Sequence, residues 1–178
     1  MRRIYDSQAL KRDDDVFTPR ERDDAPEPAA MRSVPGESLS RLLVPTWLRY
    51  RALTVTVETP ESSYPAGTDV PVKVTLRNTF PFPISVRTRT PRLWTWHVDG
   101  AAEASRVPES LPDEERVYTF DRGERKQFLR RWTGLFKVSE TEWEPADPGE
   151  YTLGAYIDVA DADGKGLAAE TTVRIEPE

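Results

Sequence analysis

The sequence has no cysteine and a single histidine, His97. The first absence removes disulfides, cysteine-ligated zinc, iron–sulfur clusters and thiol catalysis. The second removes a multi-histidine metal site, so no cofactor is expected. Lysine is also scarce: five lysines stand beside 20 arginines. No stretch approaches the ~18 apolar residues of a membrane span. The opening Met1-Arg2-Arg3 is not followed by the roughly 7–15 apolar residues of a signal peptide. These features lead us to expect a cytoplasmic protein with no membrane partner.

What is there is modest in size and strongly charged. The chain has 178 residues, 37% hydrophobic and 31% charged, with a net charge of −6. That suffices for one domain and a tail. An acidic chain argues against general nucleic-acid binding and leaves only a local basic patch for such a role. Few lysines with many arginines and carboxylates is a composition of salt-adapted proteins and of GC-rich genomes alike.

Residues 1–36 read as a disordered tail. They hold Asp13-Asp14-Asp15, Asp23-Asp24 and four prolines, with few large apolar groups to offset ordering entropy. In residues 37–51, Leu39, Leu42 and Leu43 follow helical spacing and Pro45 ends the run, so a short helix and linker are expected. That segment either packs on the domain edge or docks a second protein.

From residue 52 to 178 the period becomes two. Val72-Val74-Leu76, Ile84-Val86, Trp94-Trp96-Val98 and Tyr151-Leu153-Ala155-Ile157 each alternate with polar residues. Such alternation marks half-buried strands. The facing of Phe128–Trp132 is ambiguous, because apolar and basic residues occupy both registers. Asp99-Gly100 can supply the positive φ of a hairpin, and Asp163-Gly164-Lys165-Gly166 separates the last two strands. We therefore expect an all-β, immunoglobulin-like antiparallel β-sandwich of about 7–8 strands. Tyr151, at the start of a long strand, suits a tyrosine corner. Leu153 then stands where antibody domains carry a cysteine, and Trp94 and Trp96 compete for the buried inter-sheet aromatic position.

The order of the aromatic run Leu93–Gly100, the segment Phe120–Phe128 ahead of Trp132, and Pro148-Gly149-Glu150-Tyr151 is similar to the BsuPI-type intracellular proteinase inhibitor domain, over about residues 52–176. That resemblance implies an immunoglobulin-like fold and an intracellular protease as partner. Two features depart from the family: Arg87–Arg92 precedes the aromatic strand in place of a glycine-containing segment, and residues 133–146 are longer and more acidic.

Catalytic chemistry has little to stand on. His97 lies in a strand between tryptophan and valine, and no Gly-x-Ser-x-Gly elbow exists. The carboxylates Asp113-Glu114-Glu115 and Glu140, Glu142, Glu144 sit in polar runs. Asp158, Asp161 and Asp163 before Gly164 fail the alternation of a calcium loop, since Lys165 takes a ligand position, and a hairpin is the better reading. The arginines are the more informative set. Arg87, Arg89 and Arg92, with Arg125, Arg130 and Arg131, either form a cationic docking face or pair with Glu140, Glu142 and Glu144 inside the domain. The loop Val107–Pro112, with Pro108 and Leu111, is stiffened by proline and is a candidate contact loop. The expected role is a non-enzymatic protein-binding module of inhibitor type. The alternative is an accessory subunit docking through residues 37–51 and the arginine face.

Overall fold

The structure, a computed structural model, describes residues 46–177. The tail over 1–36 and the helix expected around Leu39–Leu43 lie outside the described residues. Among the described residues one helix forms: α1 spans Thr46–Ala52, after Pro45 in the sequence. The helix stops as Ala52 enters the core, where its carbonyl accepts from the Thr79 amide (2.7 Å) and hydroxyl (2.9 Å).

Twelve strands follow among the described residues. They are β1 (Leu53–Glu58), β2 (Ser63–Pro65), β3 (Val70–Asn78), β4 (Ile84–Thr88), β5 (Trp94–Val98) and β6 (Ala101–Ala102). Next come β7 (Arg116–Phe120), β8 (Arg125–Trp132), β9 (Leu135–Lys137), β10 (Trp143–Pro145), β11 (Gly149–Ile157) and β12 (Ala168–Glu176). One sheet has the order β1-β3-β8 and the other β2-β12-β11-β5-β6, with two further pairs, β4-β7 and β9-β10. Every strand pair is antiparallel except β2 with β12. The chain leaves the first sheet after Glu58, passes Pro60, and joins the second as β2.

This is an immunoglobulin-like β-sandwich. Its core is the meeting of alternate side chains: Val70, Val72, Val74 and Leu76 from β3 against Trp94, Trp96 and Val98 from β5 and Leu153, Ala155 and Ile157 from β11, all buried. Trp94 of β5 meets Phe128 of β8 with ring centroids 4.8 Å apart, joining the two sheets at that edge. Both Trp94 and Trp96 are buried, so neither displaces the other. The tryptophan buried most fully is Trp132, at 1% exposure. It packs edge-on against Tyr151 at 5.0 Å and Phe136 at 5.6 Å, and its indole N–H donates to the Leu135 carbonyl (3.0 Å). Burial of such a side chain is worth about 3 kcal/mol. The ambiguity of β8 resolves with Phe128 and Trp132 turned inward and Leu129 outward, 76% exposed.

Tyr151 makes the expected corner: its hydroxyl donates to the Asp147 carbonyl at 2.7 Å. Burial, then the charges of Asp147 and Asp99, push its ionisation above the ordinary tyrosine value, so the hydroxyl stays a donor.

A second polar lock sits where two strands break together. β3 pairs with β8 and β4 with β7, so the same two chain segments stay partnered on either side of an interruption. Asn78, fully buried, spans it. Its side-chain amide donates to the carbonyls of Phe82 (2.9 Å), Asp121 (2.8 Å) and Phe120 (3.3 Å), and its side-chain oxygen accepts from the Phe80 amide (2.9 Å). The facing turn is held by Glu124, whose carboxylate accepts from Lys126 (2.6 Å) and the Asp121 amide (2.7 Å). Those two bonds, the lysine first, lower its pKa from the ordinary 4.5.

Two tests follow from this break. Asn78→Ala strands buried carbonyls and an amide and is expected to cost about 2–4 kcal/mol, read from urea midpoints at unchanged slope. Glu124 contributes stability that is present above its unfolded-state value and lost as pH falls through its lowered folded value. Glu124→Gln therefore flattens the decline of stability on the acid side, and an unchanged acid-side slope would show the carboxylate to be idle.

Candidate partner-binding site

The segment after β5 is shaped by a tight reversal. Asp99 (φ 46°) and Gly100 (φ 79°) form the hairpin turn expected from their sequence. β6 is then only two residues long. Glu103 (φ 53°) and Ala104 (φ 55°) continue in the left-handed region, which costs a non-glycine residue about 1 kcal/mol or more. Ala104 is buried, and the chain on either side is strapped to β9: the Lys137 amide donates to Ala104 (2.9 Å), and the Arg106 amide donates to Lys137 (2.8 Å). The turn is therefore held in a strained form by hydrogen bonds to a neighbouring hairpin.

Between this segment and the β9–β10 hairpin lies a cleft of about 870 Å³. Ala101, Val107 and Pro108 give it apolar lining, Arg106 and Lys137 give it charge, and Trp143 stands in its wall at 51% exposure. Arg106 lies 4.9 Å over the Phe136 ring and pairs with Glu144 at 3.2 Å. Arg92 fastens the loop from beneath, 3.5 Å from Glu103 and 2.8 Å from Glu109. A smaller hollow of about 370 Å³ shares Ala102 and Glu109 with the cleft and takes in Leu111, Arg89 and Tyr156. Pro108 and Leu111, both singled out in the sequence, thus lie on adjoining concavities.

The arginines do not make one face. Arg87 points out from β4 and pairs with Glu115 at 2.9 Å. Arg89 lies beyond the strand and binds the buried Asp158 at 3.0 Å, a carboxylate that also accepts from the Thr90 amide and hydroxyl. On β8 the alternation separates the other three. Arg125 and Arg131 are turned away from the core, the latter 3.1 Å from Asp69, while Arg130 lies on the inner side, 5.1 Å over the Trp94 ring. Internal pairing was the alternative reading and holds for most of them, but with other partners: Glu140 pairs with Lys137 and Glu144 with Arg106.

His97 faces outward from β5 across from Gly154 and is mostly covered. Its Nδ1 accepts from the Gly100 amide (3.2 Å), and its Nε2 lies 3.8 Å from Glu170. A Cβ on Gly154 would fall 2.2 Å from that ring, so the glycine makes room for it. Asp161 folds back on its own loop and accepts from the Gly164 amide (3.3 Å). Among the described residues no three histidine, aspartate or glutamate side chains gather as a metal ligand set.

Sequence reasoning missed Trp143 and its hairpin. The three-residue strands β9 and β10 are too short to show a period. The one available signal was a tryptophan placed within an acidic run.

Comparison with known proteins gives the following. No curated protein matches the chain. Among solved structures, the CARDB domain of the PF1109 protein from Pyrococcus furiosus, in complex with di-metal ions, is 17% identical over 71% of this chain and 94% of that one, with a TM-score of 0.44. The β-glucosidase from Listeria innocua in complex with isofagomine is 13% identical over 70% of this chain and 16% of that one, with a TM-score of 0.42. The Pseudomonas fluorescens alkylpurine DNA glycosylase AlkC, bound to DNA containing an abasic site analog, is 12% identical over 70% and 30%, with a TM-score of 0.41. Residues 41–176, which include α1 and every strand, match one family throughout, and the chain belongs to it: DUF7974, a family of unknown function.

Proposed function

We propose that the chain is a non-enzymatic protein-binding module whose cleft beside Trp143 receives an extended segment of a partner protein. The observation that carries this reading is the half-exposed Trp143 in the wall of a cleft with apolar lining and charges of both signs. Exposed tryptophans in such settings are the side chains on which protein interfaces concentrate their binding energy. The opposite wall is ordered in advance by Arg92 and by the hydrogen bonds to β9, which lowers the entropy lost on binding.

The inhibitor role implied by the BsuPI resemblance is a narrower form of the same reading. It is favoured by the exposure of Pro108, Glu109 and Ser110 on a loop that Arg92 pins at Glu109. An intracellular protease would then be the partner. The accessory-subunit alternative loses its arginine face, because Arg87, Arg89, Arg92 and Arg131 are engaged by acids of the domain itself.

Affinity capture from the native cell extract tests the module. Trp143→Ala is expected to weaken retention of the bound partner by about tenfold or more, while Thr172→Ala on β12 leaves it unchanged. Equal retention by both variants would overturn the cleft as the binding site. Separately, intracellular proteases assayed with a large excess of the protein are expected to slow. Undiminished proteolysis removes the inhibitor reading and leaves the binding reading standing.

A further inference from the structure

The outward face of the β1-β3-β8 sheet presents three cross-strand rows. They are Thr54–Arg77–Arg125, Thr56–Thr75–Gln127 and Glu58–Lys73–Leu129. Residues directly opposite in an antiparallel ladder point to the same side, so Arg77 and Arg125 stand side by side. Both are exposed, and neither has an ion pair or side-chain hydrogen bond among the described residues. Like charges in that position repel, and the pair stands in a molecule whose net charge is −6.

The next row supplies donors. Thr75 is 9% exposed, yet its hydroxyl has no hydrogen-bond partner among the described residues. Buried hydroxyls are ordinarily satisfied by protein or by water, so this one is served from the groove it lines, beside two guanidinium groups without a protein acceptor. The side chains of Thr56 and Gln127 are likewise unengaged. The acid of the third row, Glu58, is taken by Lys73 at 2.6 Å and is not available to the arginines. These rows line a groove of about 280 Å³, roomy enough for a small anion with water.

We infer that this groove is a binding site for a phosphate-type oxyanion, held between Arg77 and Arg125 with Thr75, Thr56 and Gln127 as further donors. A carboxylate offers two oxygens and is satisfied by one guanidinium. A tetrahedral phosphate group offers three or four and matches two forks plus hydroxyl and amide donors. The site lies on the sheet opposite the one that carries β6 and is independent of the Trp143 cleft.

The test is an amide-shift NMR titration of the described domain within the full chain, with inorganic phosphate and with phosphoserine, at constant ionic strength. Saturable shifts centred on Thr75, Arg77 and Arg125 are expected in the millimolar range. Arg77→Gln and Arg125→Gln should each weaken binding about tenfold, and Arg122→Gln, an exposed arginine outside the groove, should not. Tighter binding of phosphoserine assigns the site to a phosphomonoester, and equal binding assigns it to free phosphate. Absence of saturation, or equal weakening by Arg122→Gln, overturns the inference. In phosphate-free buffer Arg77→Gln is expected to raise the urea midpoint by relieving repulsion. A lowered midpoint would show that the pair is already satisfied within the protein and would overturn it as well.

Discussion

The buried amide of Asn78 is the interaction on which the arrangement rests. A sandwich of this kind needs two long segments, from β3 into β4 and from β7 into β8, to interrupt their pairing at the same level and resume it. Each interruption frees backbone carbonyls in the interior, where an unmade hydrogen bond costs about 1–3 kcal/mol. One asparagine answers several of them at once, because its amide donates and its carbonyl accepts. No apolar residue of similar volume can do this, and aspartate would offer acceptors where donors are required. The turn at Glu124 faces the same break and is tied by the Asn78 amide, which donates to the Glu124 carbonyl at 2.9 Å.

Beyond that break the molecule divides its labour by face. The inward rows carry the apolar area, and the aromatic cluster of Trp132, Phe136 and Tyr151 joins β8 and β9 to β11. Since β9 is held there, the hairpin it forms with β10 has a fixed base, and Trp143 is carried on a positioned element rather than a free loop. The segment from Glu103 to Glu109 is fixed by Arg92 and by the hydrogen bonds of Ala104 and Arg106 to Lys137 of β9. A cleft whose walls are tied to each other and to the domain keeps its width, which suits the binding role proposed for it.

Much of the architecture was legible because alternation is a strong signal wherever a strand is long and buried on one side. The rows Val72-Val74-Leu76, Ile84-Val86, Trp94-Trp96-Val98 and Tyr151-Leu153-Ala155-Ile157 gave β3, β4, β5 and β11, and the tyrosine corner has a local motif of its own. β8 was not legible, since Arg130 occupies an inward position where the pattern calls for an apolar residue. Only the Trp94 ring above it explains the exception. The short strands β2, β6, β9 and β10 carry too few residues to show any period. The grouping of arginines failed for a related reason. Nearness in sequence does not give sidedness, and Arg130 and Arg131 are neighbours that lie on opposite faces. Arg77 is flanked by ordinary strand residues, and its significance depends on Arg125, 48 positions away, which only the register reveals.

The inward arginine of β8 has one more consequence. β8 is the outermost strand of its sheet among the described residues, with eight residues of backbone along its rim. Such a rim is a template on which further copies of a chain can stack without limit. To extend the sheet there, an incoming copy would have to set its own strand against four cations in eight residues, one of them exposed over an indole on the inner side. The sandwich thus carries, within a single strand, a barrier to its own polymerisation.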